Sequence, residues 1–233
     1  MAGPDPTAVT DGPHRHDRPA SEGPRRTALR RGALGLAPIG AAVAMLIHPH
    51  VGDAPFASIA AAADTWLLVH VLLFASLPLL GVGTYLLLDR VRGRVALLGR
   101  LGAAVFTVCY GGYVAMVGLS SALIVRAGTG LAPAEQAGID AALAYLLEAP
   151  AIMAVAGIGA LGFLVAVAAT AVGYRRRGVS IVPLALLFGA VVALTVHSGL
   201  VAVAGMLAFL VGVAWLEYSA VVARPHAEPT AAT

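Results

Sequence analysis

Four histidines lie beside the apolar segments of this sequence, where other polar side chains are scarce. His48 and His50 follow an apolar run in AMLIHPHVGD, His70 comes one helical turn after Trp66, and His197 separates two long apolar runs. Imidazole is the commonest metal ligand in proteins and changes charge near neutral pH. Three imidazoles with a carboxylate or a water could hold Zn or Cu, and two could hold a haem iron.

Helical spacing predicts where two of these imidazoles point. Two rows of residues spaced four apart end in histidine: Gly40–Ala44–His48 and Ala185–Gly189–Ala193–His197. Such residues share one helix face, and small residues on that face let helices pack closely in lipid. We therefore expect both imidazoles to point into a helix bundle. The predicted metal ligands are His48, His70 and His197, with three possible additional ligands: His50, Asp53 and Glu148.

A structural role for the same histidines is the alternative. Polar side chains are least costly at helix ends, Pro49 would stop a helix, and His197 could bond the free backbone groups of a tight turn. The sequence has no His-Glu-x-x-His or Cys/His motif whose spacing specifies a metal. The cofactor therefore stays unknown at this stage, with Zn, Cu and haem as possibilities.

The composition is typical of a protein embedded in a bilayer. Of 233 residues, 59% are hydrophobic and 12% are charged, whereas soluble domains are about 45–50% apolar and about 25% charged. All fifteen basic residues are arginine, which together with abundant alanine, glycine and valine indicates a GC-rich bacterial genome. The single cysteine, Cys109, excludes an internal disulfide and a cysteine metal cluster.

Six apolar segments approach the roughly 20 residues that a helix needs to cross the hydrocarbon. We predict an all-α integral membrane bundle of six transmembrane helices within residues 29–220. Residues 1–28, which are rich in proline, glycine and charge, are predicted to be a disordered cytoplasmic tail, and residues 221–233 a second cytoplasmic tail. The predicted spans are about 33–49, 66–88, 100–125, 150–173, 180–197 and 199–218.

Arginine placement predicts the orientation in a plasma membrane. With six spans, every arginine except Arg126 lies on the same side as the two termini. Cytoplasmic loops carry the excess of basic residues, so both termini are predicted to be cytoplasmic. The net charge of +3 then requires no nucleic-acid partner. The expected partner is the lipid bilayer, and the small-residue helix faces leave room for a protein partner or a homo-oligomer.

The first span has a second interpretation as an export signal. The stretch RRTALR followed by RGALGLAPIGAAVA has the features of a twin-arginine signal, and Ala42-Val43-Ala44 offers a small-x-small cleavage site. Cleavage would leave five spans, with the new N-terminus outside. The alternative is a short first helix flanked by anchoring arginines, and arginine counting does not separate the two.

Local signals predict two further helices on the outer side. Asp53 followed by Ala-Pro indicates a helix start with Asp53 as the cap, and Ala134–Leu147 has the spacing of a helix lying in the membrane interface. Aromatic residues at both span boundaries suggest an aromatic belt: Trp66 outside, Trp215 and Tyr218 inside. Glu217, at the inner boundary, is expected to pair with an arginine of the fourth loop.

The middle of each predicted span lacks ionisable side chains. Ion-coupled transporters usually need such groups at the midplane, so their absence argues against ion-coupled transport and leaves an uncoupled carrier of uncharged or lipidic substrates as an alternative. Pro78 is the one proline in a span interior, and the tyrosines near Tyr113 indicate either a polar cavity or hydrogen bonding between helices.

Three short motifs carry a resemblance to known proteins: W-x3-H at Trp66–His70, GRVALLGRLG at Gly93–Gly102, and AWLEY at Ala214–Tyr218. With them, residues 30–220 resemble uncharacterised small multi-pass membrane proteins common in actinobacteria. The resemblance implies a helical bundle in the plasma membrane and supplies no catalytic residue. The sequence therefore favours a non-enzymatic structural or interaction protein, with histidine metal or haem binding and uncoupled transport as alternatives.

Overall fold

The computed structural model describes residues 24–219, and every regular element in this range is helical. Ten α-helices follow one another: α1 (Pro24–Leu46), α2 (Pro55–Ala61), α3 (Ala63–Leu87), α4 (Arg94–Tyr113), α5 (Ser120–Gly128), α6 (Pro133–Glu148), α7 (Pro150–Arg175), α8 (Ile181–Leu187), α9 (Gly189–Val196) and α10 (Gly199–Tyr218). A 3-10 turn follows α3 at Leu88–Arg90, and a π-helical segment, Val114–Leu119, joins α4 to α5.

The prediction of an all-α protein is confirmed, and five helical stretches are long and apolar enough to cross a membrane, which is compatible with a helical membrane bundle. They are Thr27–Leu46, Ala63–Arg90, Arg94–Gly128, Pro133–Arg175 and Gly199–Tyr218. The remaining predicted span, 180–197, corresponds to a shorter apolar stretch, Ile181–Val196, which is interrupted at Phe188 between α8 and α9. Large apolar side chains on the outer surface, including Leu36, Val108 and Leu200, are mostly exposed, as expected for helices that face lipid.

The long helices form a closed ring in chain order. α1 packs on α3, α3 on α4, α4 on α7, α7 on α8 and α9, and α10 packs on α8, α9 and α1. Each helix of the ring thus packs against the next ring helix along the chain, and α1 closes the ring by packing against α10. The two ends of this ring carry different polar residues. The end with His48, His70 and His197 is called the histidine end. The opposite end, with Arg30, Arg90 and Glu217, is called the arginine end.

Glycines bring helix backbones together at the main seams. A Cβ on Gly102 would lie 2.5 Å from the carbonyl oxygen of Gly162, and one on Gly162 would lie 2.7 Å from that of Gly102, so α4 and α7 touch backbone to backbone. Gly189 and Gly205 form the same kind of contact between α9 and α10. The rows of small residues seen in the sequence therefore serve packing within this chain.

A buried ion pair ties the ring together at the arginine end. Arg30 donates to Glu217 over 3.0 Å, and the two side chains are 4% and 3% exposed. Arg90, beyond α3, lies 3.7 Å from the other carboxylate oxygen. The expectation that Glu217 pairs with a fourth-loop arginine is wrong, because α1 and the end of α3 reach the carboxylate; Arg177 instead donates to the Arg90 carbonyl.

The first helix begins earlier than predicted. α1 starts at Pro24, inside the segment 1–28 assigned to a disordered tail, while residues 1–23 and 220–233 lie outside the described part. Proline suits the first turn of a helix, and the following Arg, Ala and Leu are strong helix formers. α1 packs between α3 and α10, and its Arg30 is buried, so the segment that has the pattern of an export signal is part of the ring.

A small second layer covers the histidine end. α2 packs against α6, and their apolar side chains form a separate core with α3 and α5 around Phe56, Ile59 and Leu143. The predicted Asp53 cap is wrong: Ala54 precedes the helix, and the Phe56 N–H donates to Asp140 Oδ1 of α6 over 2.7 Å. The predicted helix at 134–147 is confirmed as α6.

Gly102→Ala should destabilise the bundle, whereas Gly112→Ala should not. The new Cβ at 102 meets backbone of α7, which overpacks the seam at a cost of roughly 1–3 kcal/mol. Gly112, also in α4, has nothing within 4 Å of its added Cβ, and replacing a helical glycine there gains roughly 0.5–1 kcal/mol. Thermal unfolding of the detergent-purified variants compares the two; equal melting temperatures would contradict the backbone contact.

Candidate histidine site

Three predicted site histidines from three parts of the chain meet at the histidine end. The His48 ring lies between the other two, with ring centroids 5.1 Å from His70 and 5.1 Å from His197. Both contacts are edge to face, at interplanar angles of 69° and 72°. The structure therefore brings the three imidazoles that the sequence singled out into one cluster, which we call the histidine cluster.

His70 is held by its own helix and by the π-helical segment. Its Nδ1 donates to the Trp66 carbonyl one turn earlier over 2.8 Å, which the W-x3-H spacing allows. Gly118, within the π segment, leaves room for the ring: any Cβ there would collide with the His70 imidazole. The Trp66 indole N–H donates to the Gly118 carbonyl over 3.0 Å. π segments often occur at functional sites, and this one shapes the site.

His48 lies just beyond the end of α1, where the chain leaves the helix before Pro49. Its Nδ1 is 2.8 Å from the Pro49 carbonyl oxygen. A carbonyl only accepts hydrogen bonds, so the proton resides on Nδ1 and the lone pair on Nε2. That Nε2 is buried and has no hydrogen-bond partner among the described residues. The same argument applies to His70, whose Nδ1 also bonds a carbonyl.

His197 is positioned by an unusual backbone conformation. It caps α9 with φ of 67°, the one positive φ of a non-glycine residue in residues 24–219. Histidine adopts this left-handed region more readily than most residues, and such conformations cluster at functional sites. Its N–H donates to the Ala193 carbonyl over 2.8 Å, and Gly199, also at positive φ, completes the turn into α10.

The three imidazoles line a cavity of about 210 Å³ at the histidine end. Apolar side chains form most of its remaining wall: Val51, Trp66, Val114, Val117 and Leu147. Tyr113 also lines the cavity, and its ring contacts that of Tyr110. The Tyr110 hydroxyl donates to the Leu194 carbonyl over 3.3 Å. Pro78 does not line this cavity.

The acidic residues expected as additional ligands do not reach the cavity. Asp53 and Glu148 are exposed and absent from its lining, whereas His50 lines the rim and is itself exposed. Asp64 is also exposed and pairs with Arg126, the one arginine predicted on this side. Across residues 24–219, no three His, Cys, Asp or Glu side chains are already arranged to hold a metal ion. The imidazoles pack against one another instead.

Haem does not fit this arrangement. A bis-histidine haem lies between its two axial imidazoles, and the rings of the histidine cluster contact each other with no gap for a porphyrin. A single ion with water is compatible with the space, because one water needs only about 10–15 Å³ of such volume. Zn and Cu, which suit imidazole ligands, stay as the possible cofactors.

Two imidazoles of the cluster, those of His48 and His197, lie just outside the apolar helices, and burial keeps both of them neutral. Loss of hydration lowers the pKa of His48 below 6.5, against a smaller opposing effect of its bond to Pro49. The pKa of His197 falls to about 4, first through burial and then through the nearby His48 and His70. Neutral imidazole is the form that binds metal.

Three site features were not found from the sequence. The sequence suggests an aromatic-belt position for Trp66, whereas the side chain is 3% exposed and contacts both His48 and His70. No sequence pattern predicts the π-helical segment, and Gly118 differs in the sequence from no other glycine of a predicted span. The turn conformation of His197 was anticipated only as a tight hairpin.

Comparison with protein-family models, curated proteins and solved structures finds no match to this chain.

Stability should fall as the pH drops from 7.5 to 5. Below pH 6.5 the unfolded chain protonates His197 while the folded chain, with a pKa of about 4, does not. The free energy of unfolding then decreases by up to about 1.4 kcal/mol for each pH unit of acidification. Thermal unfolding in detergent measures this slope, and His197→Asn, whose side chain tolerates positive φ, should reduce it. The matched variant is His50→Gln, which should keep the wild-type slope; equal slopes for both variants would contradict burial of His197.

Proposed function

We propose that this chain is a non-enzymatic multi-pass membrane protein whose histidine cluster binds one transition-metal ion, Zn²⁺ or Cu²⁺. The observation that carries the proposal is the hydrogen bonding of His48 and His70: each directs an Nδ1 proton to a backbone carbonyl. Metal-binding histidines have this same arrangement, which fixes the tautomer and leaves Nε2 as the ligand atom.

The surroundings of the cluster support this proposal. The buried Nε2 of His48 has no partner among the described residues, and a buried polar atom of this kind calls for a water or an ion. The pKa values of His48 and His197 keep both imidazoles neutral at pH 7, so no proton has to be displaced before an ion binds.

Coordination requires the imidazoles to turn. The rings contact each other edge to face, whereas tetrahedral Zn needs each nitrogen about 2.0–2.1 Å from one point. The cavity of about 210 Å³ provides space for that rotation and for water as the fourth ligand. Binding should therefore be weaker than at a preformed site.

Metal analysis of the full chain, purified in detergent with a histidine-free affinity tag, tests the proposal. After loading with Zn²⁺ or Cu²⁺ and desalting, mass spectrometry should find about one ion per chain. His48→Gln and His70→Gln each remove a ligand and should lower affinity at least about ten-fold. His50→Gln, in the same loop but outside the cluster, should retain the ion.

Two results would refute metal binding at this site. One is a protein that stays free of both ions after loading, which would leave the histidines with the structural role described above. The other is equal metal loss in His50→Gln and His70→Gln, which would indicate weak surface binding. A melting temperature that rises with metal in wild type but not in His70→Gln would give independent support.

We further propose six crossings of the plasma membrane with both termini cytoplasmic, so that the histidine end faces outward. The arginine distribution supports this orientation. The closed ring supports the sixth crossing, because Ile181–Val196 occupies the position between α7 and α10. At 16 residues it is short, so the bilayer would have to thin locally or the segment's flanking residues would have to extend to the interface.

Cysteine labelling on the two sides of this segment tests the topology. Ser180 and Ser198 flank Ile181–Val196 and can each be replaced by cysteine in a Cys109→Ser background. A membrane-impermeant maleimide applied to intact cells should label Ser198→Cys but reach Ser180→Cys only after permeabilisation. Labelling of both in intact cells, or of neither, would mean that α8 and α9 do not cross, and the reverse pattern would invert the orientation.

A further inference from the structure

An apolar groove opens between α7 and α8 at the arginine end. It has a volume of about 550 Å³, and Arg175 and Arg176 form its one charged border. All its other lining residues are apolar, among them Val172, Leu184 and Phe188. Ile181 and Val172 at its edges are exposed, to 66% and 43%, so the groove opens sideways, toward the surrounding membrane.

The packing of α7 explains the gap. On one side, glycines bring α7 against the backbone of α4. On the other side α7 meets a segment that is interrupted at Phe188, and the small side chains Ala171 and Ala185 line the groove there. These two alanines are too small to fill the space between α7 and α8. Protein interiors are normally close-packed and leave no such space.

The charge at the groove has no acidic counterpart in the described chain. Arg175 and Arg176 are exposed, and no carboxylate within residues 24–219 forms an ion pair with either. The Arg175 guanidinium donates to the Val179 carbonyl over 3.3 Å. The sequence from Ala149 to Leu216 contains no acidic residue. Two unneutralised guanidinium groups beside an apolar groove fit a ligand with an anionic head and an apolar chain.

We propose that this groove binds one anionic phospholipid, with its phosphate at Arg175 and Arg176 and an acyl chain along Leu184 and Phe188. Arginine matches phosphate geometry with paired donors, and basic sites between transmembrane helices at the cytoplasmic side bind anionic headgroups. The site is separate from the histidine cluster and does not depend on metal binding.

Lipid retention by the detergent-purified full chain tests this proposal. The protein is incubated with equal amounts of phosphatidylglycerol and phosphatidylcholine of identical acyl chains, washed in detergent, and its lipid counted by mass spectrometry. We expect about one phosphatidylglycerol per chain and little phosphatidylcholine. The double variant Arg175→Gln/Arg176→Gln should lower phosphatidylglycerol affinity about thirty-fold, from about one kcal/mol per arginine.

Two further variants separate the headgroup from the groove. Arg92→Gln/Arg94→Gln removes two exposed arginines where the chain enters α4 at this end and should retain the lipid. Ala185→Trp fills the groove and should release it while the arginines remain. Equal retention of both lipids, equal loss in the two arginine pairs, or full retention in Ala185→Trp would each overturn the proposal. Because both arginine pairs are exposed, matched melting temperatures will confirm that those variants remain folded.

Discussion

Close contact between helix backbones is the constraint on which the rest of this structure depends. Lipid tails are as apolar as leucine, so burial of apolar side chains does not hold helices together in a bilayer, and van der Waals contact has to do so. Gly102 and Gly162 let α4 and α7 touch, and Gly189 and Gly205 do the same for α9 and α10. These seams determine the order of the ring and place α3, α9 and the end of α1 around one cavity.

The two ends of the ring bury polar groups in different ways. At the arginine end, charges are paired: Glu217 joins Arg30 and Arg90 from two other parts of the chain. Removing one member of such a pair leaves an uncompensated buried charge, so this end depends on its partners being present together. At the histidine end, burial lowers the pKa values of His48 and His197, so these two imidazoles stay neutral and their ring contact buries no unpaired charge.

Each member of the histidine cluster is positioned by a different departure from regular helix. His48 follows the end of α1 and precedes proline, His70 fits against a glycine in a π segment, and His197 occupies a left-handed cap. Regular helices alone would not bring these rings together, because each one depends on a local irregularity that another part of the chain stabilises. The Trp66 indole donates to the Gly118 carbonyl of the π segment and contacts the His48 ring beyond α1, so it links two of these irregularities.

The sequence by itself determined the class of protein and the residues of interest. Apolar length and arginine placement are local properties, so they predicted helices, their approximate bounds and a shared end for His48, His70 and His197. Spacing predicted that His70 and Trp66 share a face. Only the tertiary structure decided which side chains meet. Asp140, and not Asp53, bonds the start of α2, and Glu217 pairs with Arg30. Asp53 and Glu148 stay outside the cavity. The physical reason is that these contacts join residues far apart in the chain, and their partners are set by how the helices pack, which no local pattern encodes.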